Sequence, residues 1–375
     1  MKDLFARPST DNKSAVLVNV DLGGYDVAER LLELGSLVLS AGLVVVGQLL
    51  TKRSHLDAKL FLGKGKTQEL LALCQAVEAG IVVFNHDLSP SQQRNLERTL
   101  GVYVLDRTAL ILHIFAQRAR SHAGKLQVEL ARLEHLSTRL TRGWTHLERQ
   151  KGGIGMRGGP GETQLELDRR ILRVEVKRVR EKIAKLKVQR GMQRRVRQRA
   201  QVLAVSLVGY TNAGKSLLFN CLTAGSSYVA DQLFATLDTT TRKIFIEGCG
   251  EVVLSDTVGF IQDLPHSLVA AFGATLEEVK DADLLLHVIN SASPGKDMQM
   301  REVDAVLAEI GAFDIPRLLV YNQIDKLGML PEITYDAYGR ISAVWLSART
   351  GQGVGLIKRA ILEHKQQYQN RYQDA

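Results

Sequence analysis

The residues in this 375-residue chain best suited to chemistry are Gly209-Tyr210-Thr211-Asn212-Ala213-Gly214-Lys215-Ser216, which fit the spacing G-x-x-x-x-G-K-S. The apolar run 203–208 before them reads as a strand, and Leu217-Leu218-Phe219-Asn220 after them opens a helix, the context in which this spacing makes a phosphate-binding loop. The loop's N–H groups and the helix N-terminus cradle phosphate oxygens, Lys215 neutralises the β and γ charges, and Ser216 ligates Mg²⁺. Forty residues beyond Ser216 a second apolar run ends at Asp256-Thr257-Val258-Gly259. A carboxylate there serves the outer shell of a Mg²⁺ ion, and the N–H of Gly259 faces a γ-phosphate.

Two more short motifs follow strand-like runs: Asn322-Gln323-Ile324-Asp325 and Ser347-Ala348. The ordered set resembles the guanine-specifying motifs of Ras-like GTPases. That resemblance makes Asp325 the acceptor for the guanine N1–H and exocyclic amine, a pairing adenine cannot offer. The chain departs from the pattern at Gln323, where the family usually has Lys, so an aliphatic stem and a charge are lost beside the nucleotide.

Between the loop and Asp256 lies Phe234-Ala235-Thr236-Leu237-Asp238, and upstream lies Gly158-Gly159-Pro160-Gly161-Glu162-Thr163-Gln164-Leu165-Glu166. Together with Asp256-Thr257-Val258-Gly259-Phe260 these segments resemble the HflX family within the Obg and HflX superfamily of translation GTPases, over nearly the whole chain. The resemblance implies that Thr236 is the switch threonine that ligates Mg²⁺ and senses the γ-phosphate, with Thr239 or Thr240 as the competing choices. It also implies the large (50S) ribosomal subunit and its rRNA as partner, and splitting or rescue of stalled ribosomes as the output. Phe260 stands where Ras has its water-orienting glutamine. A phenyl ring cannot orient water, so no catalytic side chain is assigned, and hydrolysis is expected to be slow until the ribosome activates it. Asn212 occupies the P-loop position that helps hold K⁺ in potassium-using GTPases; bracing the loop is its other reading.

These groups need a scaffold, and the apolar patterning supplies one in three parts. Residues 1–117 alternate strand-like runs at 15–20, 43–50, 81–84 and 102–105 with helical patterns at 26–39, 67–78 and 90–100, which suggests a small α/β domain with parallel strands. Residues 118–200 form a coiled-coil hairpin. Leu126, Leu130, Leu133, Leu140, Trp144 and Leu147 make one heptad-type seam, and Leu172, Val176, Val179, Ile183 and Leu186 make the other. The glycine-rich segment 151–161 stops the helix between them. Arms of about 25 residues would reach roughly 35–40 Å. Residues 201–375 return to α/β alternation as the nucleotide domain. The fold class is therefore α/β: an N-terminal α/β domain, a long antiparallel helical hairpin, and a Ras-like P-loop domain.

Charge singles out the hairpin. The chain carries 49 Lys and Arg against 40 Asp and Glu, a net +9, yet residues 118–199 hold 23 basic and 8 acidic residues, leaving 26 basic and 32 acidic elsewhere. A mildly acidic body thus bears one segment of net +15, suited to a polyanion. Arg157 at the tip and Arg169, Arg170, Arg173, Lys177 and Arg178 on the second arm are the expected RNA contacts. A protein dimerisation arm is the plainer reading of the same run. A GTP-gated RNA-binding or RNA-remodelling factor in ribosome biogenesis, not acting on assembled ribosomes, is the alternative function. Gly63-Lys64-Gly65-Lys66 is either a second anion site, such as one for ATP, or a basic turn. The lone Cys74, Cys221 and Cys249 support neither a disulfide framework nor a zinc site, and no run is long enough to span a membrane. A cytoplasmic monomer using Mg²⁺, with K⁺ as a candidate second ion, is expected.

Overall fold

The computed structural model describes residues 12–23, 27–143, 164–199, 202–223, 225, 232–263, 265, 268 and 273–373. The glycine-rich tip with Arg157 lies outside the described residues, as do Trp144 and Leu147 of the first seam. The chain divides into two compact units, Met1–Gln117 with Glu129–Arg180, and Arg118–Val128 with Glu181–Ala375, so residues 118–200 contribute to both.

In the first unit, strands β1 (Ser14–Asp21), β2 (Val44–Lys52), β3 (Ile81–Phe84) and β4 (Tyr103–Leu105) form a sheet in the order β2-β1-β3-β4, parallel throughout. All six interior residues of β1 are buried, as expected of a parallel strand covered on both faces. Helices α1 (Val27–Ser40), α2 (Lys64–Ala76) and α3 (Pro90–Leu100) match the expected pattern to within a few residues. The third begins where the sequence signals it. Ser89 accepts the Gln92 N–H at 3.2 Å, the Gln92 side chain accepts the Ser89 N–H at 2.9 Å, and Pro90 fills the first turn. A further helix, α4 (Arg107–Arg118), was not expected. Its start is capped by Asp106, whose Oδ1 accepts the Ala109 N–H at 2.8 Å.

The hairpin segment gives two helices, α5 (His122–Gly143) and α6 (Gln164–Arg199). Within the first unit Leu130, Leu172 and Val179 are buried and Arg180 pairs with Glu134 at 2.7 Å, so these three seam positions face inward, while Leu133 and Val176 are half-buried. Leu126 and Ile183 play the same part in the second unit. The second arm runs 36 residues, about 54 Å, longer than expected, because the helix passes through Gly191 into a stretch rich in the good helix formers Arg and Gln.

The second unit holds seven strands: β5 (Leu203–Val208), β6 (Thr240–Ile246), β7 (Gly250–Asp256), β8 (Leu284–Asn290), β9 (Arg317–Asn322), β10 (Glu332–Tyr335) and β11 (Ile341–Trp345), ordered β10-β11-β9-β8-β5-β7-β6. Only β6 and β10 run antiparallel to their neighbours. Helices α7 (Lys215–Thr223), α8 (Gly273–Lys280), α9 (Lys296–Glu309) and α10 (Val354–Gln373) complete it. Leu207, Leu218, Phe219, Leu254, Leu286 and Val320 belong to one fully buried core under the carboxyl ends of β5, β7 and β9. Those ends carry the three motifs, the usual ligand side of an open parallel sheet.

Candidate functional site

The loop after β5 is built for close approach. Gly209 (φ 148°) and Gly214 (φ 93°) take backbone conformations that side chains resist, and a Cβ at Gly209 would lie 2.2 Å from the Val288 carbonyl oxygen. The loop turns into α7 at Lys215, which is buried and donates to the carbonyls of Gly209 at 3.0 Å and Tyr210 at 2.8 Å. Burial pulls the Lys215 pKa down to about 8 against the opposing attraction of Asp256.

Beside it, the Ser216 and Thr236 hydroxyls stand 2.6 Å apart, and Thr236 donates to Asp256 Oδ2 at 3.2 Å. The structure thus brings Thr236, not Thr239 or Thr240, to the loop. Burial raises the Asp256 pKa, opposed by Ser216, Lys215, Thr236 and the Thr257 N–H. Its second oxygen, Oδ1, is buried without a hydrogen-bond partner. Two hydroxyl oxygens converging beside an orphaned carboxylate oxygen are the donor set a hard cation takes, so these residues fit Mg²⁺. Among the described residues no group of three or more His, Cys, Asp or Glu is arranged to hold a metal ion.

Gly259 closes the phosphate end. A Cβ there would fall 2.7 Å from Thr211 Cγ2, 2.9 Å from Thr211 Cα and 3.0 Å from Lys215 Nζ, so only glycine permits this approach. Phe260 pairs its backbone with the loop, donating to Gly209 O at 3.1 Å and accepting from Thr211 N at 2.7 Å, while its ring is 1% exposed in the core. Tyr210 is held by the Gln262 N–H, which donates to its hydroxyl at 2.7 Å.

At the other end, Asn322 joins three segments. Its Nδ2 donates to Ala213 O at 2.9 Å and its Oδ1 accepts from Ala348 N at 2.9 Å. Gln323, with φ 69°, donates from Nε2 to Asn212 O at 3.1 Å, and Asn212 itself sits at φ 62°. Asp325 keeps Oδ1 buried without a partner.

These parts line one cavity of about 280 Å³: Thr211, Asn212, Gly214, Lys215 and Ser216 from the loop, Phe234, Ala235 and Thr236 from the next segment, then Thr257, Gly259, Asn322, Gln323 and Asp325. Leu237, Val258 and Ile324 are buried and do not line it, and Ser347 is fully buried with Oγ accepting the Thr350 N–H at 3.2 Å. Asp238 is placed elsewhere, its carboxylate bonded to Arg120 and Ser121. Leu217, Gln232, Lys326 and Arg349 line the cavity without having been expected, although Lys326 directly follows Asp325 and Arg349 directly follows Ser347-Ala348. On the second arm Arg170, Arg173, Lys177 and Arg178 are exposed and Arg169 is half-buried. Gly63 (φ 77°) caps α2, whose first turn carries Lys64, Gly65 and Lys66; a Cβ on Gly63 would lie 3.0 Å from the Arg53 guanidinium, and Lys66 pairs with Glu69 at 2.7 Å. The three cysteines are free, and among the described residues no helix is long and apolar enough to cross a membrane.

Comparison with known proteins agrees with this geometry. Family models match three consecutive stretches: GTP-binding GTPase N-terminal over residues 28–116, GTP-binding GTPase middle region over 118–197, and 50S ribosome-binding GTPase over 204–323. The GTPase HflX of Escherichia coli (strain K12) is 52% identical over 352 residues, spanning 94% of this chain and 82% of that protein. The GTPase HflX of Caldanaerobacter subterraneus subsp. tengcongensis is 45% identical over 359 residues, 96% of this chain and 82% of that one. Among solved structures, the SsGBP–GDP complex shares the fold with a TM-score of 0.52 at 24% identity, covering 95% of this chain and 99% of that one. The two HflX relatives share between 45% and 52% of their residues with nearly the whole chain, so the chain belongs to the HflX family of GTPases and is a GTP-hydrolysing enzyme.

Proposed function

We propose that the chain is a Mg²⁺-dependent GTPase that binds the 50S ribosomal subunit through its basic arm and splits or rescues stalled ribosomes. The observation that carries the nucleotide half is a set of buried orphan atoms: Thr211 Oγ1, Gln323 Oε1 and Asp325 Oδ1 on residues that line one cavity, and Oδ1 of Asp256, whose Oδ2 accepts from the lining residue Thr236. Unpaired buried polar atoms are costly, and a guanine nucleotide with its ion satisfies both ends of the row at once. Ser216 and Thr236 would hold the ion, with Asp256 supporting Thr236; when bound, the ion would supply charge neutralisation for the phosphate oxygens. Lys215 exchanges its carbonyl partners for phosphate, Gly259 leaves room for a γ-phosphate N–H contact, and Asp325 reads the base. Phe260, buried and bonded through its backbone, leaves the attacking water without a side-chain guide, which supports slow turnover until the ribosome contributes.

The ribosomal half rests on charge: exposed Arg170, Arg173, Lys177 and Arg178 lie along the second arm of the segment that concentrates the chain's basic surplus. Two measurements test it. Sedimentation with 50S subunits is expected to lose the protein when these four become Glu, and undiminished, salt-insensitive association would end the proposal. Splitting of 70S ribosomes compared with GTP, a non-hydrolysable analogue and GDP is expected to proceed with the first two and not the third. Absence of splitting despite ribosome-stimulated turnover would leave a 50S-dependent GTPase with another output.

A further inference from the structure

The segment that carries Thr236 is fastened at both ends to residues that precede the GTPase sheet by more than eighty positions in the sequence. At one end Arg118 donates to Gln232 Oε1, and Gln232 lines the nucleotide cavity. At the other, Asp238 Oδ2 accepts the N–H groups of Arg120 at 2.8 Å and Ser121 at 2.7 Å, while Oδ1 accepts the Ser121 hydroxyl at 2.5 Å. The same hydroxyl oxygen accepts the Gly124 N–H at 2.9 Å, so Ser121 caps α5 and Asp238 adds a negative charge at that helix N-terminus, where the dipole favours it.

Gly124 makes the fit specific. It lies in the first turn of a helix, where glycine is less favourable than alanine by about 1 kcal/mol and no left-handed backbone calls for it. A Cβ there would lie 2.0 Å from Asp238 Oδ1. A side chain at position 124 therefore forces the Asp238 carboxylate out of its present position. Thr236 stands only two residues from Asp238, a tether of at most about 7 Å. The Thr236 hydroxyl is 2.6 Å from that of Ser216, so a docked Asp238 limits how far Thr236 can move from it.

We propose that the turn Arg118–Gly124 is a positioning element of the GTPase site: by docking Asp238 it holds Thr236 beside Ser216 and Asp256, and the same contact ties the cap of the arm helix to the nucleotide state. Asp238 is thus a positioning residue that acts through Thr236 rather than a nucleotide contact. The inference rests on the assignment of the cavity to GTP and Mg²⁺. A switch threonine is engaged by the γ-phosphate and its ion and released with GDP, so the coupling must favour the triphosphate state selectively.

The test compares wild type with Gly124→Ala, Asp238→Ala and Asp238→Asn in the full chain, measuring affinity for GDP and for a non-hydrolysable GTP analogue, and the Mg²⁺ concentration that half-saturates turnover. Gly124→Ala strengthens the helix intrinsically, so a merely structural contact would leave nucleotide preference untouched. The expected result is an analogue affinity about tenfold weaker in Gly124→Ala and Asp238→Ala, with GDP affinity within about twofold of wild type and a raised Mg²⁺ requirement. Asp238→Asn, which keeps an acceptor oxygen, should fall between. Equal weakening of both nucleotides, or no change in either, would overturn the coupling. If Asp238→Ala fails to fold, Gly124→Ala alone decides. Failure of the underlying site assignment looks different: wild type would bind no GDP, or Lys215→Ala would bind it as tightly as wild type.

Discussion

Replacing Asp325 by Asn tests base recognition most directly, because it changes one atom's hydrogen-bonding sense and almost no volume. Asp325 Oδ1 is buried without a partner, and the residue lines the cavity next to Gln323. Guanine brings N1–H and an exocyclic amine to it, two charge-assisted hydrogen bonds of about 1.5–3 kcal/mol each. Asp325 is only half-buried, so its carboxylate is partly hydrated before binding and the lower end applies, about 3 kcal/mol or roughly a hundredfold in affinity. The Asn amide keeps one acceptor and turns its NH₂ toward a donor, so GDP should lose at least that factor. Xanthine carries an oxygen where guanine carries the amine, and the same NH₂ can donate to it. Titration of GDP, XDP and ADP at fixed Mg²⁺ should therefore show GDP weakened about a hundredfold, XDP tightened relative to wild type, and ADP weak throughout. The reasoning fails if the variant binds GDP within about threefold of wild type, or if GDP weakens without any gain for XDP.

Three further outcomes are expected. Gly259→Ala forces a methyl to within 2.7 Å of Thr211 Cγ2 and 3.0 Å of Lys215 Nζ, so single-turnover GTP hydrolysis should fall at least about tenfold, with stability lowered by roughly 1–3 kcal/mol in urea unfolding. Arg139→Met strips the cation from Asp106, whose pKa burial raises to about 6 against the attraction of Arg139, and should destabilise by about 3–5 kcal/mol near neutral pH. Because the native state holds this proton more tightly than the unfolded chain does, the Asp106 contribution grows less favourable as pH rises from about 4 through 6, and unfolding midpoints should differ more at pH 8 than at pH 5. Asn212 lines the cavity at the loop position suited to K⁺, so turnover in K⁺ buffer should exceed that in Na⁺ buffer of equal ionic strength, and equal rates would leave Asn212 a loop brace.

What the sequence revealed follows from how locally each feature is encoded. Helix Pro90–Leu100 and strand Ile81–Phe84 emerge with the expected bounds, because a capping Ser before Pro and a short apolar run between turn signals are local facts. Helix Arg107–Arg118 escaped because seven of its residues from Thr108 to Phe115 are buried, leaving no polar face to set a period of 3.6. Strand Glu332–Tyr335 escaped for the opposite reason: it is a largely exposed edge with little apolar content. In the site, motif spacing brought the loop, Thr236, Gly259 and Asp325 to one cavity, with Asp256 bonded to Thr236. It could not place Asp238, whose partner Ser121 lies 117 residues away, and motif position alone had put that carboxylate with the nucleotide.

The substitution of Gln for Lys at position 323 has a structural consequence that the motif alone misjudges. A lysine there would offer an aliphatic stem under the base and an ammonium toward the loop. Gln323 keeps the second function, since its amide donates to Asn212 O at 3.1 Å, and Asn322 makes the parallel bond to Ala213 O at 2.9 Å. Two adjacent side chains of the base loop thus grip two adjacent carbonyls of the phosphate loop, and base and phosphate recognition remain one hydrogen-bonded body. What is lost is one charge; Lys326 and Arg349 line the same cavity as Asp325. The replacement therefore preserves the hydrogen-bonded geometry between the two loops, which is what Lys at this position would otherwise supply through its ammonium.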